Sequence, residues 1–491
     1  MTSLFTAGIT ADLATSVPTD LYINGQWVPA ADGGKFAVLN PANNQQLASV
    51  ASACEQDVLS AIDAAHKAAP GWASISPRAR SEVLRKAFEL MIEHKEVLAR
   101  LISLEEGKTR AEALGEVAYA AEFFRWYSEE TCRDQGTFMR APSGTNNILV
   151  KHQPVGVCLL ITPWNFPAAM GTRKIAPALA AGCTTILKPA SETPLTALYL
   201  AQLLEQAGVP AGVVNVIPSK CSSMVSEVGL SDPRVRKISF TGSTEVGRLL
   251  LAKASERVVN CSMELGGNAP FIVLEDANME VAVDSAMVAK MRNAGESCIG
   301  ANRFYVHHTR AEEFSSRLAQ AMSQLVLGDG MKDGVDVGPL VNASTINKVE
   351  HLVDQAVELG AKVLTGGMRV AGPGFFYKPT VLVNIPNHAD ILREEIFGPV
   401  ATIVTFTNED EMIDAANDTV FGLAAYVIGA NVGNALAVAD KLDAGVLGVN
   451  RGFISDPAAP FGGVKQSGIG REGSQDGLHE FTEKKYIAIE W

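Results

Sequence analysis

Residues Val155–Leu187 read VGVCLLITPWNFPAAMGTRKIAPALAAGCTTIL, and the fold is decided by how this stretch divides. Val155–Ile161 is an apolar run of strand length, Ala168–Ala181 has helical character, and Thr184–Leu187 is a second strand-like run. The alternation continues downstream. Thr193–Ala207 reads as helix, Val213–Ile217 and Lys237–Phe240 as strands, Ser243–Ala254 as helix and Val258–Met263 as strand. Short strands separated by helices imply a parallel sheet of right-handed βαβ units. Such sheets hold ligands beyond the carboxyl ends of their strands, so chemistry is expected just after each strand.

Four polar clusters stand there: Pro163–Pro167 (PWNFP), Lys188–Ser191 (KPAS), Phe240–Ser243 (FTGS) and Glu264–Gly267 (ELGG). One such cluster is ordinary turn chemistry, but four at the ends of one sheet are more than turns require.

Working outward, Leu21–Pro29 (LYINGQWVP) alternates around Asn24-Gly25 and predicts an edge hairpin. Gln56–Ala68, Arg78–Ser103 (after Ser76-Pro77 as N-cap and first helical residue) and Thr109–Tyr127 predict scaffolding helices. Beyond Asn268 a second α/β region follows. Its expected strands are Pro270–Leu274, Arg303–His307, Tyr377–Val383 and Ala401–Phe406, and its helices are Met279–Ala294, Arg310–Leu327 and Ala343–Leu359. Gln135–His152 reads as a projecting hairpin with a polar tip at Ser143–Asn147, and Lys484–Ile489 closes the chain in a β-like run.

Met291–Arg303 (MRNAGESCIGANR) places a single thiol, Cys298, among small and polar residues between a helix and a strand. That setting suits a nucleophile, and equally a small buried residue. The one G-x-G-x-x-G match, Gly468–Gly473, follows no convincing strand and leaves 18 residues after it, so it is not read as a phosphate loop.

At 491 residues two or three domains are expected. A formal charge of −13 argues against a nucleic-acid partner. Seven scattered cysteines without a Cys-x-x-Cys pair, and histidines without ligand spacing, argue against a metal site and fit a reducing compartment. Met1–Asp20 lacks Lys and Arg and does not read as a targeting signal, and no run approaches a membrane span, so a soluble cytoplasmic enzyme is expected.

Thr162–Pro167 (TPWNFP), Phe240–Gly247 (FTGSTEVG), Met263–Pro270 (MELGGNAP), Asn293–Arg303, Glu394–Val400 (EEIFGPV) and Pro460–Gly468 together resemble the aldehyde dehydrogenase superfamily along nearly the whole chain. The resemblance implies an α/β fold with two parallel-sheet domains and a small β oligomerisation element. Residues 1–20 would be a lead-in, and 21–134 with 153–264 the dinucleotide-binding domain. Residues 265–460 would form the catalytic domain, and 135–152 with 461–491 the oligomerisation element of a homodimer or homotetramer.

The same resemblance assigns Cys298 as nucleophile, Glu264 as the base that activates water, and Asn165 as an oxyanion donor with the backbone N–H of Cys298. The chemistry makes these demands independently, since oxidation to an acid needs a nucleophile, a stabilised oxyanion and a hydrolytic base. By resemblance Lys188 serves the adenosine ribose and its phosphate, and Glu395 the nicotinamide ribose with Phe397 beside it. Trp164, Gly242, Ser243 and Leu265 line the dinucleotide path. Ser191 stands where NAD-preferring relatives often have Glu, which implies NADP, with NAD possible and Glu192 one place away.

The run Ile161–Pro194 looks like succinate-semialdehyde dehydrogenases, which implies Arg173, Arg292 and Ser455 as holders of a distal carboxylate. The alternative for the arginines is internal ion pairing. Rival activities are glutarate-semialdehyde oxidation, one methylene longer, and broad oxidation of neutral aldehydes; an inert relative would lack Cys298 or Glu264, and a CoA-acylating one would lack Glu264. Two positions depart from the pattern. Glu296 replaces a common glutamine and is expected either to affect the thiol or substrate entry or to point outward. Gly300 replaces a cysteine, so a local disulfide with Cys298 is not available.

Overall fold

The structure is a computed structural model that describes residues 17–133 and 136–490. The lead-in expected at 1–20 lies almost wholly outside the described residues, as does Gln135 at the foot of the expected hairpin.

Five parallel strands form the centre of the first sheet, in the order Asn260–Glu264, Val235–Thr241, Val157–Ile161, Thr184–Lys188, Val214–Val216. Every residue of Val157–Ile161 and Thr184–Lys188 is buried, as befits strands covered by helices on both faces. Each large aliphatic side chain so enclosed stabilises the fold by roughly 1.5–3 kcal/mol. The helix Pro167–Ala181 joins these two strands; Pro167 opens it and Gly182, at φ 93°, ends it in the left-handed region. The expected hairpin, Leu21–Ile23 with Gln26–Val28, lies at one edge and turns through Asn24 and Gly25, both at positive φ.

The second sheet runs Lys362–Thr365, Thr380–Val383, Val400–Phe406, Ala301–His307, Ala269–Val273, Ala424–Ile428, Val446–Val449, parallel except at its first pair. A three-stranded antiparallel sheet pairs Thr482–Ile489 with Asn147–Pro154 and that with Thr137–Arg140. The chain is thus an α/β protein with two mainly parallel sheets and a small β element. Among the described residues no helix is long and apolar enough to cross a membrane.

Several boundaries differ from expectation. The helix predicted over Arg78–Ser103 is two, Pro77–Glu93 and Lys95–Glu105, broken at His94, whose Nδ1 lies 2.7 Å from the Tyr199 hydroxyl. Residues 461–491 do not all join the hairpin. Gly468–Ile469 pairs antiparallel with Asn260–Glu264, Phe461 belongs to the core of the second sheet, and Leu478 and Phe481 to that of the first. Only Thr482–Ile489 reaches the hairpin, because the segment before it carries apolar anchors that the two cores take up. The two-stranded pair Lys35–Asn40 with Gln45–Ala51 and the helix Ser222–Ser231 escape the sequence reading.

Candidate active site

Cys298 lies where the two sheets meet. The helix Met279–Met291 ends in a tight turn, Arg292–Gly295, in which Asn293, Ala294 and Gly295 all have positive φ (55°, 50° and 78°). Two consecutive non-glycine residues in that region cost about 1–3 kcal/mol each and persist only when their surroundings hold them. Here they are held. The Asn293 N–H donates to Glu112 Oε1 at 2.6 Å, and its side-chain amide donates to the carbonyls of Asn165 (2.9 Å) and Glu296 (3.1 Å). Gly267 lets the loop approach, since a Cβ there would sit 2.4 Å from the Cys298 carbonyl oxygen.

Asn165 comes from the other sheet, just past Val157–Ile161, and its Nδ2 donates to the Glu296 carbonyl at 3.0 Å. That uses one of its two hydrogens and leaves the second for a ligand. Lys108 holds Asn165 from below, with Nζ 2.8 Å from its carbonyl oxygen and 2.6 Å from Glu116 Oε2. Glu116 in turn accepts the N–H groups of Ala168 and Ala169 at the start of Pro167–Ala181. The sequence reading gives Thr109–Tyr127 only as a scaffolding helix and singles out none of Lys108, Glu112 and Glu116. Lys108 and Glu116 are buried, and all three support Asn165 or Asn293.

Cys298 is partly exposed, yet its thiol is pushed up to about 12. Burial is the largest cause; Arg173 opposes it, while Glu395, Glu264 and Glu472 reinforce it. Glu264 ends its strand, buried, with Oε2 free of hydrogen bonds among the described residues and Oε1 2.9 Å from where a Cβ on Gly462 would stand. Burial, then repulsion from Glu472, holds its carboxyl well above the carboxylate range, against Arg173, Lys174 and Arg471.

The expected carboxylate holders are differently placed. Arg173 is buried, and its Nε lies 2.8 Å from Glu472 Oε2, so internal ion pairing does occur. Its guanidinium also covers the Phe461 ring at 3.8 Å, and Nη2 has no hydrogen-bond partner among the described residues. Arg292 carries no ion pair among the described residues; the rings of Phe166, Phe453 and Tyr119 surround its guanidinium at 4.7, 4.9 and 5.9 Å. Ser455 is buried with its hydroxyl 2.5 Å from the Tyr119 hydroxyl. Tyr119 was not singled out by sequence, because on a helix it is indistinguishable from a packing residue. Glu296 does not face outward: it is buried, and Oε1 accepts the Val341 N–H at 3.0 Å.

The remaining residues line the carboxyl edge of the first sheet. Trp164 meets Phe397 edge-on, with ring centroids 5.3 Å apart, and Phe397 is itself at φ 58°. Glu395 Oε1 accepts the Gly267 N–H at 3.1 Å, and burial raises its carboxyl to about 7. Ser243 caps the helix Thr244–Ser255, Gly242 donates its N–H to the Glu264 carbonyl, and the Leu265 side chain packs where a Cβ on Gly247 would clash. Lys188, buried, donates to the Ser222 hydroxyl at 2.6 Å; burial first, and Lys220 second to it in the same direction, lower its ammonium to about 8 against Glu192. Ser191 donates to Glu192 Oε2 at 3.1 Å. The residues Gly468–Gly473 form an edge strand and a turn and not a βαβ loop. A separate cleft of about 780 Å³, bordered by Leu325, Lys332, Val370 and Lys378, contains none of these residues. No group of three or more His, Cys, Asp and Glu among the described residues is placed to hold a metal ion.

A half-buried thiol with a buried carboxyl and a buried amide, drawn from two mainly parallel sheets, agrees with what the chain is similar to. Residues 27–487 match the model of the aldehyde dehydrogenase family. A succinate-semialdehyde dehydrogenase of Paenarthrobacter nicotinovorans is 54% identical over 90% of this chain and 98% of its own length. A glutarate-semialdehyde dehydrogenase of Pseudomonas aeruginosa is 45% identical over 95% of this chain and 97% of its own. The crystal structure of an E. coli NADP-dependent enzyme superposes with a TM-score of 0.96 at 46% identity, covering 98% of this chain and 99% of that one. The chain belongs to the aldehyde dehydrogenase family.

Proposed function

We propose that the protein oxidises succinate semialdehyde to succinate with NADP. The observation that carries the substrate class is Arg292, a guanidinium enclosed by three aromatic rings and without an acidic partner among the described residues. A cation kept without an ion pair among the described residues, six positions before the nucleophile, suits a substrate that brings its own carboxylate. Arg173 Nη2, a buried donor without a hydrogen-bond partner among the described residues, and the Ser455 and Tyr119 hydroxyls add further donors.

The donor set at the edge of the first sheet suits a dinucleotide. The Lys188 ammonium with the Ser191 and Ser222 hydroxyls fits a ribose and its phosphate, and Glu395 with Phe397 and Trp164 fits the nicotinamide end. On this reading Gly242, Ser243 and Leu265 line the path between them. A 2′-phosphate would take Ser191 from Glu192, with Lys188 and Lys220 as cations nearby. When bound, NADP supplies the ring that accepts hydride.

Cys298 attacks the aldehyde carbon as thiolate, forming the C–S bond of a hemithioacetal. Asn165 Nδ2 and the backbone N–H of Cys298 hold the new oxyanion. Loss of hydride from that carbon leaves a thioester on Cys298. Glu264 then takes a proton from water, the water oxygen attacks the acyl carbon, and the C–S bond breaks to return the thiolate and release succinate.

On this reading, residues 21–134 and 153–264 hold the dinucleotide and 265–460 carry the nucleophile. The hairpin within 135–152 and Thr482–Ile489, which expose Phe138, Met139 and Tyr486, form a contact between copies in a homodimer or homotetramer. All seven cysteines are free, which fits a reducing cytoplasm.

A steady-state panel tests the assignment: C4 and C5 semialdehydes against butanal and pentanal, each with NADP and NAD. The expected result is kcat/KM for succinate semialdehyde with NADP at least about a hundredfold above butanal, the size of two lost charged hydrogen bonds. Equal values for butanal would overturn it. The glutarate-semialdehyde reading is kept by the Pseudomonas relative, and a single methylene is worth only about 1–3 kcal/mol.

A further inference from the structure

Glu296 stands two residues before the nucleophile and is 1% exposed. Its backbone carbonyl accepts both amides that shape the site, Asn165 Nδ2 at 3.0 Å and Asn293 Nδ2 at 3.1 Å. Its carboxyl occupies a crowded interior, facing Val341 on one side and Glu106, Lys108 and Glu112 on the other.

The charges there do not balance. Lys108 is the ammonium that acts on Glu296, and its Nζ is committed to Glu116 Oε2 and the Asn165 carbonyl, 4.0 Å from Glu106 Oε1. Glu106 is fully buried; Oε2 accepts the Lys108 N–H at 2.9 Å, and Oε1 makes no aligned hydrogen bond. Glu112 spends Oε1 on the Asn293 N–H and Oε2 on Thr109. Three of these carboxyl groups, Glu106, Glu116 and Glu296, are buried with a single ammonium, and they cannot all be ionised away from water because each unpaired charge costs several kcal/mol.

We propose that Glu296 is a positioning residue held as an uncharged carboxylic acid, and that this neutrality keeps the Asn165–Asn293–Glu296 platform in register beneath Cys298. The carboxyl then acts as an amide would: one oxygen accepts the Val341 N–H and the other presents a hydrogen toward the acidic cluster. Burial, and next to it Glu106, hold the group well above the ordinary carboxylate range, in agreement with that state. Ionisation at alkaline pH places a second negative charge beside Glu106 and loosens the loop. The role assigned to the platform rests on the reading of Asn165 as oxyanion donor.

Since the folded-state value lies above the unfolded one, the stabilising contribution of Glu296 is complete below the unfolded carboxylate range. It is lost as pH rises through the folded value. Glu296→Gln keeps the shape and removes the proton. Tm and kcat are measured from pH 6 to 10 for the wild type, Glu296→Gln and Glu296→Ala.

The expected outcome has three parts. The Tm of Glu296→Gln minus that of the wild type grows by about 2 °C or more from pH 6 to 9. At the alkaline end kcat of the wild type falls at least about threefold relative to the Gln variant, and Glu296→Ala lowers kcat about tenfold where Gln rescues it. Parallel Tm profiles for wild type and Gln would overturn the neutral state. Indistinguishable kcat profiles for Gln and Ala would overturn the positioning role. Undiminished kcat in Asn165→Ala would refute the oxyanion reading alone, leaving the Tm difference to judge Glu296.

Discussion

Arg173 and Glu472 meet inside the protein with Nε 2.8 Å from Oε2, and their side chains are 3% and 7% exposed. The same carboxylate also takes Lys174 Nζ at 2.5 Å. One acid from the C-terminal segment therefore fixes two adjacent cations of the helix Pro167–Ala181, which leads out of the strand end bearing Asn165.

Removing that acid leaves two buried cations without their anion. Breaking a buried pair costs about 3–5 kcal/mol. Glu472→Gln is expected to lower unfolding free energy by that amount in urea denaturation with an unchanged m-value. A loss within about 0.5 kcal/mol, as for an ordinary surface change, would contradict the role of Glu472 as an internal anchor.

Burial pushes the Cys298 thiol up to about 12, and Arg173 is the cation that opposes the rise. Alkylation of Cys298 by iodoacetamide should climb about tenfold per pH unit between pH 7 and 10, tracking thiolate. Arg173→Ala removes a stabilising charge, raises the thiol further and slows the reaction at every pH. Mass-spectrometric rates at Cys298 check both signs.

Strand ends advertise themselves in sequence. Trp164, Asn165, Lys188 and Glu264 could be singled out because parallel strands are short apolar runs, and the polar residues that follow have few structural reasons to cluster. Residues that act from helices are harder to see. Tyr119 lies on Arg110–Glu130 at the spacing of a packing residue, and its partner Ser455 is on a distant loop. Lys108 and Glu116 carry no mark in sequence that separates them from solvated charges, yet they are buried because Asn165 and the start of the next helix consume their charges. The turn at Asn293–Gly295 is likewise illegible, since its left-handed backbone is imposed by Glu112 and the Asn165 carbonyl from outside the segment.

Lys188 is held down to about 8 by burial, so its charge is at risk just above neutrality. NADP affinity of the free enzyme should weaken as pH rises through 8, while NAD, with no 2′-phosphate, weakens less. Ser191→Glu is expected to cut the NADP/NAD ratio of kcat/KM at least about tenfold by like-charge repulsion. Fluorescence titration and steady-state rates measure the two effects. Equal pH slopes for both cofactors, or an unmoved ratio, would contradict the placement of the phosphate beside Lys188 and Ser191.

The central claim is that the unpaired guanidinium of Arg292 anchors the substrate's far carboxylate. The direct measurement is kcat/KM of Arg292→Ala for succinate semialdehyde and for butanal at one pH with NADP. The account predicts a loss of about a hundredfold or more for the semialdehyde, carried by KM, and a change within about threefold for butanal, as expected when a charged hydrogen-bonding partner is removed. Equal losses on both aldehydes would contradict it.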